Sequence, residues 1–190
     1  MHALFFEVRP KAGHLEHYFE HVARLRPVLA RHTGLAFLDR YSSLSEEDLL
    51  LSHQLWESEE AIVAWRADAT HRSSQAAGRR VHFADYRIRV GERVLHWRAD
   101  APEARARVVA ASDAPHVLAF YGTQPIAEAE CAAFESVNNK GRFITLATAN
   151  GFAAAEALFD TQIGASGLEE GAIYSIRRDY GQFDRALAPG

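Results

Sequence analysis

A single cysteine, Cys131, rules out an intrachain disulfide, and nothing in the chain calls for an oxidising compartment. Basic residues are not in excess. Lys and Arg total 21 against 25 Asp and Glu, for a formal net charge of −4, which argues against a nucleic-acid partner. Long hydrophobic runs are also missing. The apolar part of the opening MHALFFEVRPKAGH is too short for a signal peptide or a membrane span and reads as a first strand, so the expected setting is cytoplasmic and away from the membrane. There is no glycine-rich phosphate loop, nucleotide fingerprint or G-x-S-x-G elbow. Phosphoryl transfer, dinucleotide binding and α/β-hydrolase chemistry are therefore unsupported.

What the chain does have is apolar material, 48% of 190 residues, enough for one large domain or two small ones packed together. Residues 3–9 read as a strand. After Gly13, Leu15, Phe19, Val22, Leu25 and Leu29 recur on one helical stripe. Pro27 is expected to kink or end that helix near Leu25, because it lacks an N–H and clashes with the preceding turn. Residues 35–43 and 50–57 read as strands. Ser58 is a good N-cap for a helix whose first turn is acidic, and the stretch 67–70 is a candidate break before more helix at 71–80. Residues 82–90 form a strand that Gly91-Glu92 is expected to turn into a short hairpin with 94–97.

Residues 99–114, Ala-rich and charged, read as a linker, part-helical at most. Beyond it come a strand at 116–122, a short helical piece at 127–134, a strand at 142–150, a helix at 151–162 and a final strand at 171–183. Both halves run strand, helix, strand, and Tyr86-Arg87-Ile88-Arg89 is echoed by Tyr174-Ser175-Ile176-Arg177. This suggests an internal duplication in which the second copy, 115–190, is abbreviated, with little room for a first helix. Any strand-helix-strand segment would match in part.

Residues 1–98 follow the order β-α-β-β-α-β, the ferredoxin-like arrangement. The segment LWESEEAIVAWRADATHRSSQAAGR, 55–79, followed by FADYRIRV, resembles the antibiotic biosynthesis monooxygenase family. The resemblance rests on the WES-EE helix start, the later Trp-Arg and His-Arg pairs and the closing Tyr-Arg-Ile strand, and it covers the first half of the chain. It implies an α+β fold of the dimeric α+β barrel type, in which two ferredoxin-like sheets pair. Here the second half could supply the partner sheet, or two chains could associate as a homodimer. The family's chemistry is mixed, including cofactor-free oxidation of phenols or quinols by O₂, haem degradation, and members with no assigned activity, so fold alone does not choose.

Haem-degrading members carry an axial histidine ten residues after the tryptophan that matches Trp65, and an asparagine on the first strand. Here Gln75 holds the ligand position, an amide being a poor iron ligand, and Phe6-Glu7-Val8-Arg9 has no asparagine. His71 could substitute after a register change. The expectation is that no cofactor is used. Cofactor-free oxidation needs an apolar pocket for a small aromatic substrate, a base and a holder for the resulting anion. Trp56 and Trp65 could form the wall. His71 and His53 are candidate bases, with Tyr86 beside them, and Arg40, Arg72 and Arg87 could hold an anion. Core packing accounts equally for the tryptophans and His53, and a solvated helix face for His71 and Arg72. The rival reading is a non-catalytic barrel that binds a small apolar ligand.

Of the ten histidines, His14, His17, His21 and His32 follow one flank of the first helix. The spacing of His17 and His21 can chelate a divalent ion, but no recognised metal motif surrounds them, and a polar border beside the apolar stripe fits as well. Alternation puts Glu7 with Arg9, and Asp85 with Arg87 and Arg89, on single strand faces. In a two-sheet barrel these could form an inner charge network, a ligand site, or a solvated face. Cys131, within an apolar stretch, reads as a small buried residue.

Overall fold

The computed structural model describes residues 1–108, 113–128 and 130–188. Its first half contains β1 (His2–Pro10), α1 (Leu15–Leu29), β2 (Leu35–Ser43), β3 (Leu50–Trp56), α2 (Glu59–Ala67), α3 (Ala69–Ala77) and β4 (Phe83–Arg98). A π-helical turn, Gly78–His82, joins α3 to β4. Then follow β5 (Ala106–Arg107), β6 (Pro115–Gly122), β7 (Ala132–Ser136), β8 (Phe143–Asn150), α4 (Phe152–Gln162) and β9 (Leu168–Gly181).

The strands form one sheet in the order β1-β3-β2-β7-β8-β6-β9-β4, and β1 also pairs with β4, so eight strands close into a barrel within a single chain. The ferredoxin-like order β4-β1-β3-β2 of the first half recurs as β9-β6-β8-β7 in the second, and the halves meet at β2–β7 and β4–β9. The second half is abbreviated because no helix connects β6 to β7 among the described residues. Every strand pair is antiparallel, so alternate residues face the barrel interior and the helical layer outside.

The interior is lined by buried apolar side chains. Phe5, Leu51, Phe134, Ile144, Val117 and Tyr174 from both halves form one cluster. Each large apolar side chain so buried contributes about 1.5–3 kcal/mol. A buried carboxylate pins the β2–β7 seam: Asp39 accepts from Ser136 Oγ at 2.7 Å, from Asn138 Nδ2 at 2.8 Å and from the Arg40 backbone N–H at 2.8 Å. Of the charged residues expected on one strand face, Arg89 is buried and Arg87 is half-exposed. Arg89 pairs with Glu7, and Arg87 chelates Asp179 at 2.6 and 2.8 Å.

Several local expectations are corrected. Helix α1 passes through Pro27 and ends at Leu29, two residues further on, the proline costing it the ladder bond to the Ala23 carbonyl. Of its stripe, Leu15 is exposed, while Tyr18, not on that stripe, is buried with Val8, Leu50 and Tyr86. The hairpin expected at 91–97 is instead one 16-residue strand. Gly91 serves close packing rather than a turn, since a Cβ there would lie 2.9 Å from the Ser175 carbonyl oxygen of β9. Among the described residues of 127–134 there is no helical piece. Residues 132–136 are β7, because the apolar side chain of Phe134 is needed in the barrel interior. The expected linker carries a short 3-10 turn at Pro102–Ala104 and the two-residue β5 against β4, with 109–112 outside the described residues. The Tyr-x-Ile-Arg echo is out of phase: Tyr86 and Ile88 face the outer helical layer, whereas Tyr174 and Ile176 face the interior.

Because one barrel unites both halves, the chain is expected to melt in a single transition. Phe134→Ala, at the junction of the halves, should destabilise it by about 3–5 kcal/mol in denaturant titration. A variant that melts in two steps, with the first half unaffected, would show that the halves fold separately.

Candidate functional site

A cavity of about 750 Å³ lies between the outer face of the first-half sheet and helices α2 and α3. That volume suits a small organic ligand. Its floor is apolar, from alternate residues of two adjacent strands: Leu4 and Phe6 on β1, Ile88 and Val90 on β4. Trp65 and Ile62 of α2 form a wall.

The helical side of the cavity depends on Asp68. Ser58 caps α2 by accepting from the Ala61 N–H, and the helix stops at Ala67. Asp68 leaves helical geometry at φ −57°, ψ 132°, and its carboxylate then caps α3 by accepting from the Thr70 and His71 N–H groups at 2.9 and 3.0 Å. Those hydrogen bonds, that of His71 first, hold its pKa below the usual carboxylate range. An unbroken helix would turn His71 away from the sheet. The break instead lays its imidazole flat on Trp65, with centroids 4.0 Å apart and planes at 13°. His32 packs edge-on against the same indole, 5.0 Å away.

The His71 ring is oriented as well as placed. Nδ1 lies 3.0 Å from the Trp65 carbonyl oxygen, which can only accept, so Nδ1 carries the hydrogen and Nε2 keeps a lone pair. Burial pulls the His71 pKa down to about 4, so the ring is neutral at pH 7. Across the cavity, Gln54 Oε1 accepts from the Trp56 indole N–H at 3.0 Å, which leaves the amide N–H groups of Gln54 as donors in the lining. The Tyr86 hydroxyl accepts from Arg185 at 2.7 Å, so its own hydrogen remains available to donate. Tyr180, its pKa raised by burial, accepts from Arg66 at 3.0 Å. A base, two donors and an apolar floor thus face one space.

The structure gathers His71, Trp65, Tyr86 and Arg72 of the sequence candidates around this cavity. It does not bring His53 there. On β3, Gln54 holds the cavity side, and by alternation its neighbour His53 faces the interior, stacked on Phe5 with Nε2 2.8 Å from Tyr121 Oη. Arg40 packs toward the Tyr18 phenol under α1, and Arg87 is bound to Asp179 on the inner face of β4. Trp56 lies beneath α2 and acts on the site through Gln54. Sequence reading missed Gln54, although its position two residues before Trp56 puts both on one face. It also missed Tyr180, Arg178 and Arg185. Those depend on a bulge in β9, where Gly91 pairs with Ile176 and Val90 with Arg178, so that Arg177 is passed over and the strand turns its other face to the cavity.

The histidine flank gathers at the edge of α1. His14 Nδ1 lies 3.0 Å from His82 Nδ1, and the His17 and His21 rings pack 5.0 and 5.3 Å from His82. Among the described residues, no group of three or more His, Cys, Asp or Glu is disposed to hold a metal ion. No helix of the described residues is long and apolar enough to cross a membrane. Cys131 is half-buried rather than fully enclosed, and burial raises its thiol pKa.

The fold and cavity define an α+β barrel with room for a small molecule outside its sheet. Residues 1–77 match the antibiotic biosynthesis monooxygenase family. Over 92 residues it is 39% identical to a protein named jasmonate monooxygenase ABM from Pyricularia oryzae, an alignment covering 48% of this chain and 43% of that one. The chain thus spans less than half the length of this curated relative. Among solved structures, an aldoxime dehydratase superposes with a TM-score of 0.56 at 10% identity, over 92% of this chain and 80% of the other, which extends the likeness in fold to both halves. A candidate antibiotic biosynthesis monooxygenase from Deinococcus radiodurans matches 48% of this chain and 91% of its own at 16% identity and a TM-score of 0.45.

Both buried histidines make stability depend on pH. Burial depresses His71 and His53 from an ordinary 6.5 to about 4. The unfolded chain therefore takes up protons that the folded chain refuses. The full stability is present above pH 6.5 and is lost as the pH falls toward 4. Linkage gives a loss on the order of 2 kcal/mol per histidine at pH 5. Denaturant titrations at pH 7.5 and pH 5 should show this difference, and His71→Gln should shrink it. An unchanged difference in that variant would place the His71 pKa near its ordinary value.

Proposed function

We propose that this chain is a monooxygenase that oxidises a small aromatic or quinol-like substrate with O₂ and without a cofactor, in the cavity beneath α2 and α3. The observation that carries this reading is the neutral, oriented His71 imidazole, which lines the same apolar-floored cavity as the Gln54 and Tyr86 donors and engages the Trp65 carbonyl through Nδ1, leaving Nε2 as the basic nitrogen. Nε2 takes the phenolic proton. The donors stabilise the resulting anion, which passes electrons to O₂ and forms the carbon–oxygen bond. The peroxide recovers the proton from His71, and the O–O bond then breaks as the same carbon gives up its one hydrogen, releasing water and leaving the quinone. One oxygen atom ends in the product and one in water, and the substrate supplies all four electrons. The name of the Pyricularia oryzae relative supports oxygenation as the reaction class, and jasmonate is the substrate its name gives for that protein.

Gln75 supports the absence of a haem cofactor. It lines the cavity at the position of the family's axial histidine, and an amide is a poor iron ligand. The division into a family domain at 1–98, a connector at 99–114 and a shortened repeat at 115–190 belongs to this reading. The repeated strand order supports it. The barrel is complete in one chain, so a homodimer is not needed to close it. One observation favours a non-catalytic ligand-binding barrel: a base with a pKa near 4 is weak until a developing anion beside it raises its proton affinity.

Oxygen uptake against a panel of quinols decides between the two readings. Turnover should exceed the uncatalysed rate, be unaffected by added haem, and fall about a hundredfold or more in His71→Ala. The acid limb of kcat/KM should lie near pH 4 rather than near 6.5. If no quinol consumes oxygen above background, the ligand-binding reading replaces this one.

A further inference from the structure

The cavity lining is strongly positive in a chain whose net charge is −4. Four arginines, Arg72, Arg79, Arg178 and Arg185, stand with one carboxylate, Glu59, among the lining residues. Glu59 is already taken by Arg178 at 2.5 Å. Arg185 meets only neutral groups among the described residues: it donates to the Tyr86 hydroxyl and lies 5.9 Å from the Tyr180 ring centroid. Arg72 and Arg79 make no ion pair among the described residues. Other arginines of the chain are matched with acids, as in Arg98–Asp100, Arg142–Glu169 and Arg177–Glu92.

Guanidinium does not deprotonate at any physiological pH, so cations left unmatched beside an apolar space attract an anion. Its planar fork fits a carboxylate with two parallel hydrogen bonds. We propose that the cavity's ligand is an amphiphilic organic carboxylate. Its apolar body lies on the floor and on the Trp65 wall, and its carboxylate is held at the mouth by Arg72, Arg79 and Arg185. This rests on the reading of the cavity as the substrate site, and adds a fixed anionic group to the substrate, distinct from the phenolate formed in the reaction. The cation cluster would also set the ligand's direction, with the carboxylate outward and the phenolic end toward His71.

Titration calorimetry with 2-naphthoate and 2-naphthamide tests this, since the two differ only in the charged group. Naphthoate should bind about tenfold tighter or more, the scale of a charge-assisted hydrogen bond, with the difference shrinking as salt is added. The triple variant R72Q/R79Q/R185Q should abolish the preference while naphthamide still binds, which also shows that the variant is folded. Equal affinities in the native chain overturn the carboxylate proposal while the oxygenase reading stands. A preference that survives the triple variant overturns it too. If neither compound binds, the proposal falls together with the reading of the cavity as an aromatic-ligand site. Should the triple variant unfold, the comparison in the native chain, repeated in R185Q, decides alone.

Discussion

The site depends on one carboxylate. Asp68 ends α2, caps α3 through the Thr70 and His71 N–H groups, and so sets the angle at which the second helix leaves the first. An N-cap of this kind contributes only modestly to stability. Its effect on geometry is larger. Without the break, His71 would face solvent and Trp65 would lose the ring stacked on it. With the break, the Trp65 carbonyl fixes the imidazole tautomer and the indole fixes its plane. The placement of this imidazole is therefore set by helix termination rather than by any property of histidine alone.

The two halves contribute unequally. Helix α4 packs directly onto the second-half sheet. Phe159 sits so close that a Cβ on Gly171 would lie 2.7 Å from its ring, and Phe152 and Ala155 are buried beside it. In the first half, the bend between α2 and α3 holds the helical layer off the sheet and leaves the cavity. The second half still takes part, because the bulge in β9 sends Arg178 and Tyr180 to the mouth of that cavity. A barrel closed within one chain can specialise its halves in this way, whereas two identical chains would carry the same cavity twice.

Much of the frame was legible in the sequence. Periodicity located the strands and helices of the first half, Ser58 marked the start of α2, and the stretch around Ala67 to Thr70 marked the break. The break is legible because Asp68 is a local signal. Which face of a strand meets the cavity is not a local signal, and His53 and Arg87 therefore belonged with the site in sequence but not in space. The helix expected at 127–134 failed because the demand for an apolar residue at the barrel seam outweighed local composition. Arg178, Tyr180 and Arg185 were invisible for a further reason. Their orientation depends on one passed-over residue in a long antiparallel ladder, and only pairing partners distant in sequence determine it.

The account requires that a substrate lie between the Trp65–His71 wall and the Gln54–Tyr86 side, outside the barrel. A crystal structure of the chain with a quinol bound under anaerobic conditions measures this directly. The account places the phenolic oxygen about 3 Å from His71 Nε2, with the ring over Leu4, Phe6 and Ile88. A quinol bound in the barrel interior near His53, or in the cavity with its hydroxyl groups turned away from His71, would contradict it.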